Sequence, residues 1–314
     1  MTALVRRAFE GTIGNAYLLL IIAPLLWGGN AVAGRLATAD WQPFTVTSLR
    51  WLCASLYLLP FAYGPLKRDW PRIRPRLWLL ISLGAFGMAM FNLLMYLALN
   101  YTTAINVSIE QAALPMLIML ANFVFLSQRV RWLQIVGLLL TLFGVLLTAT
   151  AGEPGRFLTE GLNRGDAIML VACIFYAGYS FGLRWRPDIH WMSFMWIIAS
   201  SAFVMTIPFA GWELAGSGFS MPGWRGWLVL LYVIIFPTVV SQLAFARGVE
   251  LIGSNRAGLF VNLVPIFGSL LAVLILGEQF RWFHLAGLLL VLAGIALAEK
   301  AAVKPKPEVI DAGP

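Results

Sequence analysis

Apolar residues along the chain fall into ten blocks, at about 16–37, 43–63, 77–99, 104–126, 132–151, 165–185, 191–212, 224–248, 255–276 and 281–299. Charged residues, prolines or glycines separate them. Each block is about the length needed to cross a bilayer, some 20 residues at 1.5 Å per residue. A lone segment in hydrocarbon can satisfy its backbone only as a helix. The pattern therefore predicts an all-α membrane protein with ten transmembrane helices. The first block has features of a leader peptide, with Arg6 and Arg7 ahead of it and Ala31-Val32-Ala33 resembling a cleavage site. Its apolar run is longer than a leader's core, and it is read as a mature helix.

Composition agrees. Of 314 residues, 60% are hydrophobic and 11% are charged, against about 25% charged in a soluble domain. That excludes a soluble enzyme and a disordered tail protein. The net charge of +8 would suggest nucleic acid if the bases formed a patch, but they lie between apolar blocks. There they orient the chain, and no nucleic-acid partner is expected. Loops on the side of the termini carry 16 lysines and arginines, and the opposite loops carry five. The bias puts both termini in the cytoplasm. Cys53 and Cys173 lie inside apolar blocks, and His190 and His284 lie near block ends. These supply no disulfide framework and no metal-ligand spacing, so neither a metal nor a cofactor is expected.

The two halves overlay at an offset of 149 to 150 residues. Arg131-Trp132 with Gly137–Gly144 matches Arg281-Trp282 with Gly287–Gly294, and six of eight residues in the glycine-bounded stretch are identical. Pro115 falls on Pro265, Arg76 and Trp78 on Arg225 and Trp227, and Trp27, Gly29 and Arg35 on Tyr176, Gly178 and Arg184. Five helices per half is an odd number, so the second half is inverted relative to the first. The expected organisation is a cytoplasmic segment 1–15, a first repeat 16–151, an external linker 152–164, a second repeat 165–299 and a disordered cytoplasmic tail 300–314. Inverted halves around a midplane site are the plan of secondary transporters. The oligomeric state is left open by the sequence, with a monomer in the bilayer among the alternatives.

The sequence resembles the drug/metabolite transporter superfamily in its ten-helix form, built from two EamA-type repeats. The resemblance is carried by Pro265, Leu276-Gly277-Glu278, Trp282 before Gly287 and Gly294, Leu49-Arg50-Trp51, and Trp27-Gly28-Gly29-Asn30. It covers about 16–298 and implies transport of a small molecule across the plasma membrane, the inner membrane of a bacterium. One departure is Gln128, where the second repeat has Glu278. Glu278 is read as a helix-end or interface residue.

Polar residues within the blocks are costly and mark candidate sites. All five aspartates are assigned to loops or tails, which leaves Arg50 and Glu110 as the charges inside spans. Both lie six or seven residues from the same side, and they are expected to form an ion pair or a coupling site. Pro115 and Pro265 interrupt their helices beside Glu110 and Gln111 in one half and Asn262 in the other. Trp27 and Tyr176 are repeat mates near mid-bilayer. Asn30 lies one turn from Trp27, Tyr179 one turn from Tyr176, and Asn92 one turn from Tyr96, while Ser241, Gln242 and Phe245 occupy the matching stretch of the eighth span. Together these residues would line a cavity of aromatic walls and hydrogen-bonding groups. The other reading of each is core packing.

Few bases in the spans argue against a phosphate-ester exchanger. A zwitterion could use Arg50 for its carboxylate and Glu110 or freed carbonyls for its ammonium. The expectation is a secondary transporter exporting small polar metabolites, amino acids including aromatic ones, by alternating access. Two alternatives stay open: a proton-coupled exporter of drugs or organic cations, and a membrane assembly protein. The chain has no phosphate-binding G-x-x-x-x-G-K-[ST] loop and no catalytic constellation in its spans, so no enzyme is expected.

Overall fold

The computed structural model describes residues 15–126, 131–159, 161–218 and 220–301. The expected cytoplasmic segment with Arg6 and Arg7, the Gln128–Arg129 pair and most of the C-terminal tail lie outside these residues. The described residues are helical and contain no strand. We number the passes α1 (Ala16–Ala37), α2 (Pro43–Ile73), α3 (77–98), α4 (Ala104–Leu126), α5 (Trp132–Ala149), α6 (Arg164–Gly182), α7 (Trp191–Ser217), α8 (Trp224–Ile252), α9 (Arg256–Leu276) and α10 (Trp282–Ala301). The side on which residues 150–163 join α5 to α6 is called the linker face, and the other the terminal face. The linker contains a short helix, Arg156–Thr159.

The second and third passes differ from the sequence reading. The second runs on to Ile73 and passes through Arg74–Arg76 into the third, giving 56 residues of helix with no loop between them. Straight, that stretch would be about 84 Å long and hold Arg50 about 63 Å from Asn92. Instead Arg50 bonds Asn92 at 2.7 Å. The stretch folds back on itself near Arg74-Pro75-Arg76, so the described residues make ten passes. α1 runs toward the linker face and its mate α6 away from it, which is the inversion expected.

The repeat mates α5 and α10 form the most extensive helix pair in the bundle. Gly137 meets Gly294 and Gly144 meets Gly287, where an added Cβ would lie 2.5 Å and 2.7 Å from the facing carbonyl oxygens. Lipid tails give helices no hydrophobic reason to associate, so backbone-to-backbone packing over small residues does that work. Outside the bundle, apolar side chains such as Phe125, Leu139, Trp212 and Leu274 are exposed, a surface that only lipid would cover.

Helix starts are closed by acids from antiparallel neighbours. Glu213 near the end of α7 accepts from the Phe44 and Thr45 N–H groups of α2, at 3.2 and 2.7 Å. In return, Asp69 near the end of α2 accepts from the His190 N–H and the Ser193 hydroxyl at the start of α7, at 2.8 and 2.7 Å. α2 and α7 are repeat mates, so one device serves both ends of the pair. Glu278, just beyond α9, takes the Ala104 and Ile105 N–H groups of α4 at 2.8 and 3.0 Å. Each carboxylate fills unsatisfied donors and complements the positive end of a helix dipole. Replacing Glu278 by Ala is expected to cost about 0.5–2 kcal/mol, read as a lower unfolding midpoint in detergent. An unchanged midpoint would show that water serves the α4 start equally well.

Candidate functional site

A buried polar network sits where α1, α2, α3 and α8 meet, with residues from both repeats. Arg50 on α2 donates through Nη1 to Asn30 Oδ1 (3.0 Å), Asn92 Oδ1 (2.7 Å) and the Tyr96 hydroxyl (3.0 Å), and through Nε to Thr238 Oγ1 (2.8 Å). Tyr96 in turn donates to Asn30 Oδ1 at 3.0 Å. Arg50 is 4% exposed. All four partners are neutral, and Arg50 makes no salt bridge with a described residue. Its Nη2 makes no hydrogen bond to one. The network therefore holds one positive charge with no counter-charge among the described residues, the guanidinium also lying 5.3 Å from the Trp51 ring centroid.

The backbone is built to present these groups. α3 contains a wide-turn π segment, Leu83–Met90, and its mate α8 contains another, Phe236–Val240. At the repeat offset the two overlap. Asn92 follows the first by two residues and Thr238 lies within the second, its hydroxyl also reaching Val233 O at 2.6 Å. Such segments rotate the residues after them out of α-helical register and are frequent at functional sites. Aromatic side chains pack beside the network and further along α1 and α8. Phe91 packs on Tyr176 (ring centroids 5.0 Å apart) and Trp27 on Phe245 (5.3 Å). The Tyr232 hydroxyl lies against Gly29, beside Asn30, where any larger residue would collide.

The anticipated Arg50–Glu110 ion pair does not form. Glu110 on α4 is fully buried, and neither carboxylate oxygen has a hydrogen-bond partner. The charge that bears on it is Asp166 on α6. Equal depth in the membrane did not make the two helices neighbours: α2 packs chiefly on α3, α7 and α8, and α4 on α1, α6 and α9. Asp166 also corrects the assignment of every aspartate to a loop or tail. It lies in the first turn of α6, is 1% exposed, and accepts from Thr102 Oγ1 and from Asn106 Nδ2 (3.3 Å). Asp69, too, lies within a helix.

The remaining candidates divide. Asn30, Asn92 and Tyr96 join Arg50. Tyr176 packs on Phe91 and, with rings tilted at 52°, on Tyr179 (5.5 Å), which itself packs against Gly87 on α3. Ser241 is buried and donates to Pro237 O at 2.7 Å within its own helix, and Gln111 donates to Val107 O at 3.2 Å. Gln242 is half-buried with no described hydrogen bond. Asn262 turns toward Glu299, 3.5 Å away, far from the Arg50 network in its bonding. Helices α4 and α9 break at the matched positions 112–113 and 262–263, shortly before Pro115 and Pro265. Thr238 and Tyr232 were absent from the expected set. The available signal for Tyr232 was Gly29, a small residue beside a polar one.

A second feature opens on the linker face. A cavity of about 430 Å³ is lined by Asn106, Asp166, Glu278, Arg281 and His284 among others. It shares no lining residue with the Arg50 network.

The family model for EamA-like transporters matches the chain twice, over residues 14–150 and 163–299. The chain belongs to the EamA-like transporter family. Among its relatives is a Bacillus subtilis protein named uncharacterized transporter YetK, 25% identical over 90% of this chain and 86% of that one. Another is the Salmonella typhimurium protein named uncharacterized inner membrane transporter YicL, 24% identical over 91% of this chain and 96% of its own length. A solved crystal structure shares the fold with a TM-score of 0.59 at 19% identity, covering 90% of this chain and 96% of the other. The chain is thus a membrane transporter of this family.

Proposed function

We propose that this transporter exports small polar metabolites, amino acids including aromatic ones, by alternating access. The observation that carries the reading is the uncompensated charge of Arg50. A guanidinium held rigidly by Asn30, Asn92, Tyr96 and Thr238, with Nη2 left over, is prepared for a carboxylate. The rings of Phe91, Tyr176 and Tyr232, packed beside Tyr96 and Asn30, would supply walls for an apolar or aromatic side chain. A single base suits a carboxylate and undersupplies a phosphate ester.

The family's setting and the inner-membrane relative support a plasma-membrane location. The excess of lysine and arginine on the terminal face supports cytoplasmic termini and an external linker face. Contacts to Arg50 come from both repeats, so rocking one half against the other would open and close the site.

A second reading, proton-coupled export of organic cations, draws support from Glu110, an acid that no base neutralises. Liposomes of pure protein separate the two. Saturable flux of labelled phenylalanine or leucine, unaffected by ethidium, supports amino-acid export. Ethidium flux that amino acids do not inhibit supports cation export.

A further inference from the structure

We propose that Glu110 and Asp166 form a shared proton site, loaded through the cavity on the linker face. Thr102, just ahead of α4, and Asn106 and Glu110 on its first turns make one polar stripe, with Asn106 Nδ2 donating to Thr102 Oγ1 at 3.2 Å. Asp166 on α6 bonds the first two, and α6 runs on beside the third, where the Cys173 thiol meets the Glu110 backbone carbonyl. Asp166 lines the 430 Å³ cavity; Glu110 lies one helical turn deeper, fully enclosed, with both oxygens bare of donors. The nearest sulfur, Cys173 Sγ, donates to the Glu110 backbone carbonyl at 3.7 Å and leaves the carboxylate alone.

Two carboxylates in such a place require a cation. Other charged or titratable groups on the surrounding elements are Arg35 on α1, Tyr101 before α4, Arg164 at the start of α6, Glu278 after α9, and Arg281 and His284 at the start of α10; the Arg164 guanidinium lies over the Tyr101 ring, 4.6 Å from its centroid. Arg35 is spent on the Leu99 carbonyl and Glu278 on the α4 start. His284 accepts from the Arg281 N–H at 3.0 Å. None of them forms an ion pair with either acid. No three His, Cys, Asp or Glu among the described residues are placed to hold a metal ion. A proton fits the donor set, since a protonated carboxyl can donate to its neighbour, and adjacent acids in a dry site titrate as a unit sharing one proton. Asp166 at the cavity wall is the entry, and Glu110 is the store. The helix break at 112–113 directly follows Glu110, so the charge state of the pair is placed to bias the bend of α4. Use of this proton to drive export rests on the transport reading; the site itself does not.

The test needs no transported solute. Infrared difference spectra of the full chain in lipid nanodiscs, taken by pH titration in H2O and D2O, report protonated carboxyl groups directly. The expected result is a protonated-carboxyl band at neutral pH that is lost in Glu110→Gln, shifted in Asp166→Asn and retained in Glu213→Gln. A wild-type spectrum without such a band, or a band unchanged in both variants of the pair, would overturn the proposal. Thermal midpoints give a second readout that survives poor expression of one variant. The folded pair holds a proton that the unfolded chain releases, so wild-type stability falls as pH rises. Glu110→Gln should flatten that slope, and an equal slope in both proteins counts against the site. Failure of either readout leaves the amino-acid reading standing, because Arg50 carries that reading alone.

Discussion

Replacing Gly144 with Leu should be among the most damaging single changes in the bundle. The side chain would meet the backbone of Gly287, which cannot swing aside as a rotamer would. Overpacking of this kind costs about 1–3 kcal/mol, occasionally more. Here it also pries apart α5 and α10, the mates that hold the two repeats together. Gly137→Leu should act alike, through Gly294. The exposed Leu139, two residues from Gly137 on the lipid side, is the control, and Leu139→Ala should shift stability by no more than about 0.5 kcal/mol. Unfolding midpoints in detergent decide the matter. If the glycine variants melted with the wild type, the close approach of α5 and α10 would not be what joins the halves.

Arg50→Gln should produce the largest functional loss. It removes the only positive charge in the network and leaves Asn30, Asn92, Tyr96 and Thr238 without their shared donor. A hydrogen bond to a charged group contributes about 1.5–3 kcal/mol, so binding of a carboxylate ligand should weaken about 10- to 150-fold. Arg50→Lys should recover only part of this, because an ammonium cannot reach the four partners and a ligand from one plane. Ligand-induced thermal stabilisation reads the effect, since a solute that binds the folded state raises its midpoint in proportion to occupancy. Wild type should be stabilised by amino acids, Arg50→Gln should require far more ligand, and the amide of the same amino acid should fail on both. Equal stabilisation by acid and amide would mean that Arg50 only ties α2 to its neighbours.

Much of this architecture was legible in the sequence. Pro115 and Pro265, the Gly-bounded stretches and the odd number of spans per half announced the inverted repeat, because such residues do not align by chance as leucines do. Gly137, Gly144, Gly287 and Gly294 were readable as a packing seam. Asn30, Asn92 and Tyr96 were readable as cavity residues and do gather at one point, around Arg50. What the sequence could not show was adjacency. Arg50 and Glu110 lie at one depth, yet depth says nothing about which helices are neighbours, and α2 and α4 pack against different partners. Asp166 was missed because it stands one residue inside the predicted boundary at 165, where a charge looks like part of a loop; the four-residue spacing of Thr102, Asn106 and Glu110 was the available signal that a polar partner was needed. The π segment around Ala85 contains no proline to mark it, and the one around Thr238 is marked only by Pro237. The continuous turn at Arg74–Arg76 was hidden because a basic, proline-containing stretch reads as a loop even where helical hydrogen bonds persist.

The central claim is that a carboxylate-bearing solute crosses this protein by alternating access of two inverted halves. Counterflow tests it most directly. Liposomes containing only this protein are loaded with excess unlabelled phenylalanine and diluted into a trace of the labelled form. The account predicts that label rises inside above its equilibrium level and then decays, since a carrier exchanges one bound solute for another. Flux without that overshoot would indicate an open pore, and no flux of any amino acid, with or without a proton gradient, would contradict the account.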